Sequence, residues 1–185
     1  HKAMSFAGVE VVTTSEGDIN ELHIGLKGTM SALYLKDLAD KTRRGLEGRV
    51  RKGKSGGGIC YGYGVLARPG SDDGEGRGHR HVIEDEAIII RRIFKDYDAG
   101  KSPKSIAHAL NRERVPGPKG GQWSPSTIYG NWRRGTGILN NELYIGKMVW
   151  NRQHFVKDPQ TGKKQARLNP EDKWGTQSVP DLQII

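Results

Sequence analysis

Between residues 124 and 134 the chain places Ser124, Ser126, Thr127, Tyr129, Asn131, Trp132, Arg133 and Arg134. Hydroxyls, an amide and two closing arginines are side chains that bond phosphates and base edges. Ser124-Pro125 opens a helix here, with the serine as cap and the proline at the first helical position. Ser102-Pro103 repeats that signal one helix earlier, where Ile106, Ala107 and Leu110 form the apolar face. Two short helices with a Pro/Gly connection match the outline of a helix-turn-helix reader. Its second helix, Ser124 to about Arg134, would enter a major groove. The connection, Val115 to Trp123, is longer than the tight turn of that motif. The competing reading packs both helices on a small sheet, with Ile128 and Trp132 inward.

Other constellations carry less. Gly48 to Ser55 matches G-x-x-x-x-G-K-[ST], but a phosphate-cradling loop follows a strand and opens a helix. Here the match ends a helix and leads into Ser55-Gly56-Gly57-Gly58. Gly62-Tyr63-Gly64 reads as a Gly-rich strand start. His79 and His81 share one strand face but have no third ligand near in sequence. Cys60 has no base partner in sequence, and no G-x-S-x-G occurs. No catalytic residue, no metal site and no cofactor is expected from these residues.

Charge supports an anionic partner. The 185 residues hold 30 Lys and Arg against 21 Asp and Glu, a net charge of +9. Residues 36–54 carry eight cations and three anions, 101–134 seven and one, and 143–167 six and one. Residues 1–35 and 71–98 are net negative. Alternating blocks of this kind mark a basic face, with nucleic acid the leading partner. The single Cys excludes a disulfide framework, and no apolar run approaches the roughly 20 residues of a membrane span.

These residues need elements to hold them. Val9 to Thr13 reads as a strand, Ser15 to Asp18 as a turn. Apolar spacing at Ile19, Leu22, Leu26, Met30, Leu33 and Leu38 predicts a helix from Ile19 to about Val50, near 48 Å long. Its second half, Lys41 to Lys54, has seven cations and only Glu47 against them. Ser55 to Gly58 reads as a flexible break and a domain boundary. Tyr61 to Ala67 and His81 to Ile83 pair as strands around a loop at Arg68 to Arg80. A helix over Glu86 to Ala99 is capped by Asp85 and closed by Gly100, with Ala87, Ile90, Ile93, Phe94 and Tyr97 inward. Ile138 and Leu139 make a helical turn, Tyr144 to Trp150 a strand, and Asp158 to Gly162 a hairpin loop returning through Gln165 to Leu168. Residues after Pro170 show little pattern. The fold class is α+β: a long N-terminal helix, then a small mixed domain with a helix-turn-helix-like cluster and short hairpins.

In order, Phe6 to Gly17, Leu26 to Met30, Leu35 to Ala39, Lys41 to Gly45, Tyr61-Gly-Tyr63, Ile93-Phe94, Gly100 to Ser102, Ile106-Ala107, Leu110-Asn111, Trp123 to Thr127 and Tyr144-Ile-Gly146 form a series. That series resembles the large serine recombinases, the phage-integrase and transposase branch of the resolvase–invertase group. The resemblance implies residues 1–54 as the end of a catalytic domain with its long linking helix. It implies 55–170 as the DNA-binding domain, and 171–185 as a tail toward a zinc ribbon. It implies strand exchange through a 5′-phosphoserine intermediate in the whole protein, with no nucleophile in this fragment. The partners implied are double-stranded DNA and further copies of the subunit, in a bacterial or phage-encoded, cytoplasmic, nucleoid-associated setting. Lys41, Arg43, Arg44, Arg49, Arg51, Lys52 and Lys54 would follow the DNA backbone. Ser124, Ser126, Thr127, Tyr129, Asn131, Arg133 and Arg134 would read the major groove, and Lys147 and Arg152, with Lys163 and Lys164, would add phosphate contacts. The alternative is a helix-turn-helix transcriptional regulator.

Overall fold

A computed structural model describes residues 2–9, 12–13, 17–18, 21–65 and 78–185. Ile19 and residues 66–77, most of the expected Arg68 to Arg80 loop, lie outside the described residues. The chain divides into two compact units, His1–Gly45 and Leu46–Ile185.

The first unit opens with helix α1, Lys2–Phe6, where the sequence had suggested only a lead into a strand. Strand β1 is Val12–Thr13, paired antiparallel with β2, Gly17–Asp18. Val9 lies outside the strand. Helix α2 runs Glu21–Arg51, close to the expected span. Leu22, Leu26, Met30 and Leu33 are each more than half exposed along it.

Helix α2 closes on Gly53, at φ +69°. The Gly53 N–H donates to Val50 O and the Lys54 N–H to Arg49 O, a paired C-terminal cap. The glycine of the G-x-x-x-x-G-K-S pattern therefore stops a helix and leaves no cradle at a helix start. Ser55 is buried, and Arg80 donates to its Oγ and to the carbonyls of Gly57 and Gly58. The expected flexible break is thus pinned, and the second unit begins at Leu46.

Strand β3, Tyr63–Val65, pairs antiparallel with β4, Arg80–Val82. Helix α3 is Glu84–Asp98. Its cap position is Ile83 without a side-chain bond, so Asp85 lies in the first turn with Glu84 and Glu86, favourable to the helix dipole. Glu86 still serves the fold, accepting the Gly62 N–H at 2.6 Å. Helix α4 is Pro103–Arg112, capped by Ser102 through the Ser105 N–H. Helix α5 is Pro125–Tyr129, capped by Ser124 through the Thr127 N–H.

The rest is short strands and 3-10 turns. Tyr144, expected in a strand, sits in the 3-10 turn Glu142–Ile145. Strand β5, Lys147–Trp150, pairs with β8, Gly175–Ser178, while β6, Gln153–Lys157, pairs with β7, Lys164–Leu168. Residues 171–185 are not a patternless tail. They supply β8 and place Leu182 and Ile184 in the core. That core joins Ala87, Ile90 and Ile93 of α3 to Ile106, Ala107 and Leu110 of α4, with Trp123, Ile128, Leu143 and Tyr144. At its centre the Tyr63 hydroxyl lies 2.7 Å from Leu182 O and 3.0 Å from Leu143 O.

Candidate nucleic-acid interface

The expected reader helix stops five residues after it starts, at Tyr129. Gly130 follows at φ +58° and ψ −139°, a backbone region closed to other residues. A Cβ there would stand 1.8 Å from Thr136 O and 2.3 Å from its carbonyl carbon. The chain instead makes a loop whose two glycines, Gly130 and Gly137, touch backbone to backbone.

That loop is closed at several points. The Asn131 N–H donates to Thr136 O at 3.0 Å, and the Thr136 N–H donates back to Asn131 O at 3.2 Å. Asn131 Oδ1 accepts the Arg134 N–H, capping the 3-10 turn Trp132–Arg134. Asn140 Nδ2 donates to both Tyr129 O and Thr136 O. Ile128 is buried as the packing reading expected, but Trp132 is 68% exposed and Arg133 and Arg134 point to solvent. The Arg133 guanidinium stands 5.3 Å from the Trp132 ring centroid.

Beneath the loop, Gly135 rests on the Arg152 guanidinium; a Cβ on Gly135 would collide with it. Arg152 pairs with Glu142 Oε1, and its other face stacks 4.7 Å from the Trp174 ring centroid. Lys147 Nζ holds Glu142 Oε2 at 2.6 Å. Burial pushes the Glu142 carboxyl up, while hydrogen bonds from Lys147 and Arg152 pull harder and leave it below its ordinary value. Arg134, Gly135, Glu142, Lys147 and Arg152 line one small polar pocket. Arg152 is only 12% exposed, so it acts as a strut under the loop, whereas Lys147 is half exposed at the rim.

The hydroxyls of α5 are engaged with one another. Ser124 Oγ lies 2.9 Å from both Ser126 Oγ and Thr127 Oγ1. Ser126 is exposed, Thr127 half-buried, and Tyr129 exposed beside them.

On α2, Lys41 pairs with Asp37 and Arg51 with Glu47, each one turn apart, and Arg44 Nε lies 3.5 Å from Asp40 O. Arg43, Arg49 and Lys52 are exposed, and Lys54 is half-buried. Exposed i,i+4 pairs contribute only about 0.3–0.5 kcal/mol and yield readily to a phosphate. Lys41, Arg43 and Arg44 belong to the first unit, and Arg49, Arg51, Lys52 and Lys54 to the second.

Sequence reasoning under-weighted the β6–β7 ribbon. Lys157 stands opposite Lys164, with Lys163 beside them, and all three are exposed. Like charges directly opposed across strands repel. Gln153 to Lys157 shows no clear alternation of apolar and polar residues, so only the turn chemistry at Asp158 to Gly162 announced the ribbon. The remaining singled-out groups are structural. Cys60 is half-buried, and burial raises its thiol pKa. His81 faces Gly64 across the β3–β4 pair. Among the described residues no helix is long and apolar enough to cross a membrane.

Residues 84–185 match the family model described as Recombinase. No curated protein and no solved structure matches the chain.

Proposed function

The chain belongs to the Recombinase family, and on that premise we propose that it is the DNA-binding portion of a site-specific serine recombinase. The family match carries the proposal, since residues 84–185 make up most of the compact unit Leu46–Ile185. In the whole protein the reaction proposed is cutting and rejoining of duplex DNA through a 5′-phosphoserine. This chain's part is to hold and read the DNA, and none of its residues is proposed as nucleophile.

Two groups of residues serve that part. Lys41, Arg43, Arg44, Arg49, Arg51, Lys52 and Lys54 contact phosphates along the end of α2, which gives affinity but no sequence choice. Ser126, Tyr129, Asn131, Arg133, Arg134 and Lys147 form the contact surface around α5 and the loop after it. Ser124, Thr127 and Arg152 shape that surface from within. Residues 1–45 are proposed as the catalytic-domain end with the greater part of its linking helix. Leu22, Leu26, Met30 and Leu33 are the face that meets the rest of that domain or another subunit. The DNA-binding domain is proposed to run from Leu46 through the core-forming residues to 185. A helix-turn-helix regulator fits less well, because its recognition helix would have to be α5, which is five residues long.

The test is fluorescence anisotropy of a labelled random-sequence duplex titrated with the chain across a salt series. The bound fraction is then sequenced. Affinity that falls steeply with salt, with an enriched motif, is the expected result. Absence of binding at moderate salt overturns the proposal.

A further inference from the structure

We propose that Trp132 is a DNA-contacting residue. The loop Asn131–Thr136 enters a groove of the duplex with the indole packed on sugar and base edges, and Arg133 and Arg134 reach the flanking phosphates. The proposal rests on the DNA-binding reading above.

Three observations converge on this residue. The first is exposure. Trp132 is 68% exposed, while the residues that anchor the loop on either side, Ile128 and Ile138, are 0% and 4% exposed. The core makes no use of the indole, although tryptophan is a residue that folding normally buries in large part.

The second is rigidity. Surface loops are ordinarily mobile. This one is fastened by the Asn131–Thr136 pair, by Asn131 capping Arg134, by Asn140 across its base and by Arg152 under Gly135. Those bonds fix the backbone on both sides of Trp132 before any partner arrives. The ordering cost of binding is therefore largely met in the fold.

The third is charge. Trp132, Arg133 and Arg134 are consecutive, and among the described residues neither arginine makes an ion pair. Lys147 stands on the rim of the pocket that Arg134 helps to line. A cationic surround favours an anionic polymer over the apolar groove of a protein partner. An exposed indole on a fastened loop suits a groove about 6 Å wide, where apolar side chains are known to wedge between base steps.

The experiment compares the 185-residue chain with its W132A, W132F and R134A forms, using the labelled random-sequence duplex across a salt series. W132A is expected to bind roughly tenfold more weakly, the scale of one lost aromatic–base contact. Its melting temperature and salt slope should be unchanged, because an exposed and uncharged side chain is removed. W132F recovers part of the loss. R134A lowers the salt slope by about 1. The emission lost between wild type and W132F isolates Trp132, and duplex DNA should shield that emission from acrylamide. Equal affinity of W132A and wild type, with unshielded emission, overturns the proposal and leaves the DNA-binding reading intact. Loss of affinity that tracks a lower melting temperature also overturns it, by showing a structural role. A wild-type chain that binds no duplex overturns both.

Discussion

Asn111 holds Trp123 by both of its backbone groups. Asn111 Nδ2 donates to Trp123 O, and Asn111 Oδ1 accepts the Trp123 N–H, each at 2.8 Å. The Trp123 indole N–H donates to Val115 O at 3.1 Å, and the ring is buried, meeting Tyr61 edge-to-face at 5.0 Å. One amide at the end of α4 therefore fixes where α5 starts, across a connection too long to be fixed by its own turn.

Asn111→Ala leaves both Trp123 groups without a protein partner. The expected cost is about 2–3 kcal/mol, since each orphaned, part-buried polar group costs about 1–3 kcal/mol. Urea unfolding of wild type and variant measures it. Asn111→Asp keeps the acceptor but faces Trp123 O with a carboxylate, and should not restore stability at neutral pH.

Gly130→Ala is expected to be among the most damaging small changes in the second unit. The new Cβ would meet Thr136 O, and the backbone conformation itself is unfavourable for alanine. Strain of this kind costs about 1–3 kcal/mol before the clash is counted. Amide hydrogen exchange at Asn131 and Thr136 should accelerate more than exchange in α3. Uniform acceleration would mean that the loop is not a separately fastened element.

Acid should loosen the support under that loop. Glu142 has a folded-state pKa below its ordinary 4.5. A depressed carboxylate contributes stability that is present above the unfolded value and is lost as pH falls through the folded one. Stability should therefore hold from neutrality down to about pH 4.5 and decline below it. Glu142→Gln should flatten that acid limb. An unchanged limb in urea titrations at stepped pH would remove Glu142 from the account.

Reversing Arg43 and Arg44 to Glu should weaken duplex binding for every sequence and reduce the salt slope by about 2, or more where new repulsion adds to the lost contacts. Thermal unfolding should scarcely move, because both side chains are exposed and make no ion pair in the described structure. An unaltered slope would place the DNA face elsewhere.

Helices were the legible part of this sequence. The α2 stripe and the two Ser-Pro starts rest on local chemistry, and α2, α4 and α5 begin within two residues of where spacing and caps put them. The end of α5 was not legible, because Gly130 is dictated by Gly137, seven residues on. Tolerance of a glycine inside a short helix hid a backbone contact that no local pattern encodes. Asp85 misled for a simpler reason: the helix starts at Glu84, ahead of it, so Asp85 falls inside the first turn and the cap position is Ile83, with no side-chain cap. The strands were legible in outline only. β5 finds its partner β8 beyond the whole β6–β7 ribbon, and β8, Gly-Thr-Gln-Ser, has no apolar alternation to announce it. At the candidate site the residue types were legible and their setting was not. Arg152 read as a surface cation is a strut, and Trp132, which only the competing packing reading turned inward, is an exposed tip.

The hydroxyl of Tyr63 bridging to Leu182 has a consequence for timing. Synthesis delivers Tyr63 first and Leu182 some 119 residues later. Once α4 is complete, α3 and α4 have their apolar faces but still lack Leu182, Ile184 and β8 to finish the enclosure. Closure waits on the most sequence-distant partners, a topology that slows folding. The nascent domain must spend that wait with its centre open, at risk of unproductive association, and no shorter N-terminal piece of it can close the same core.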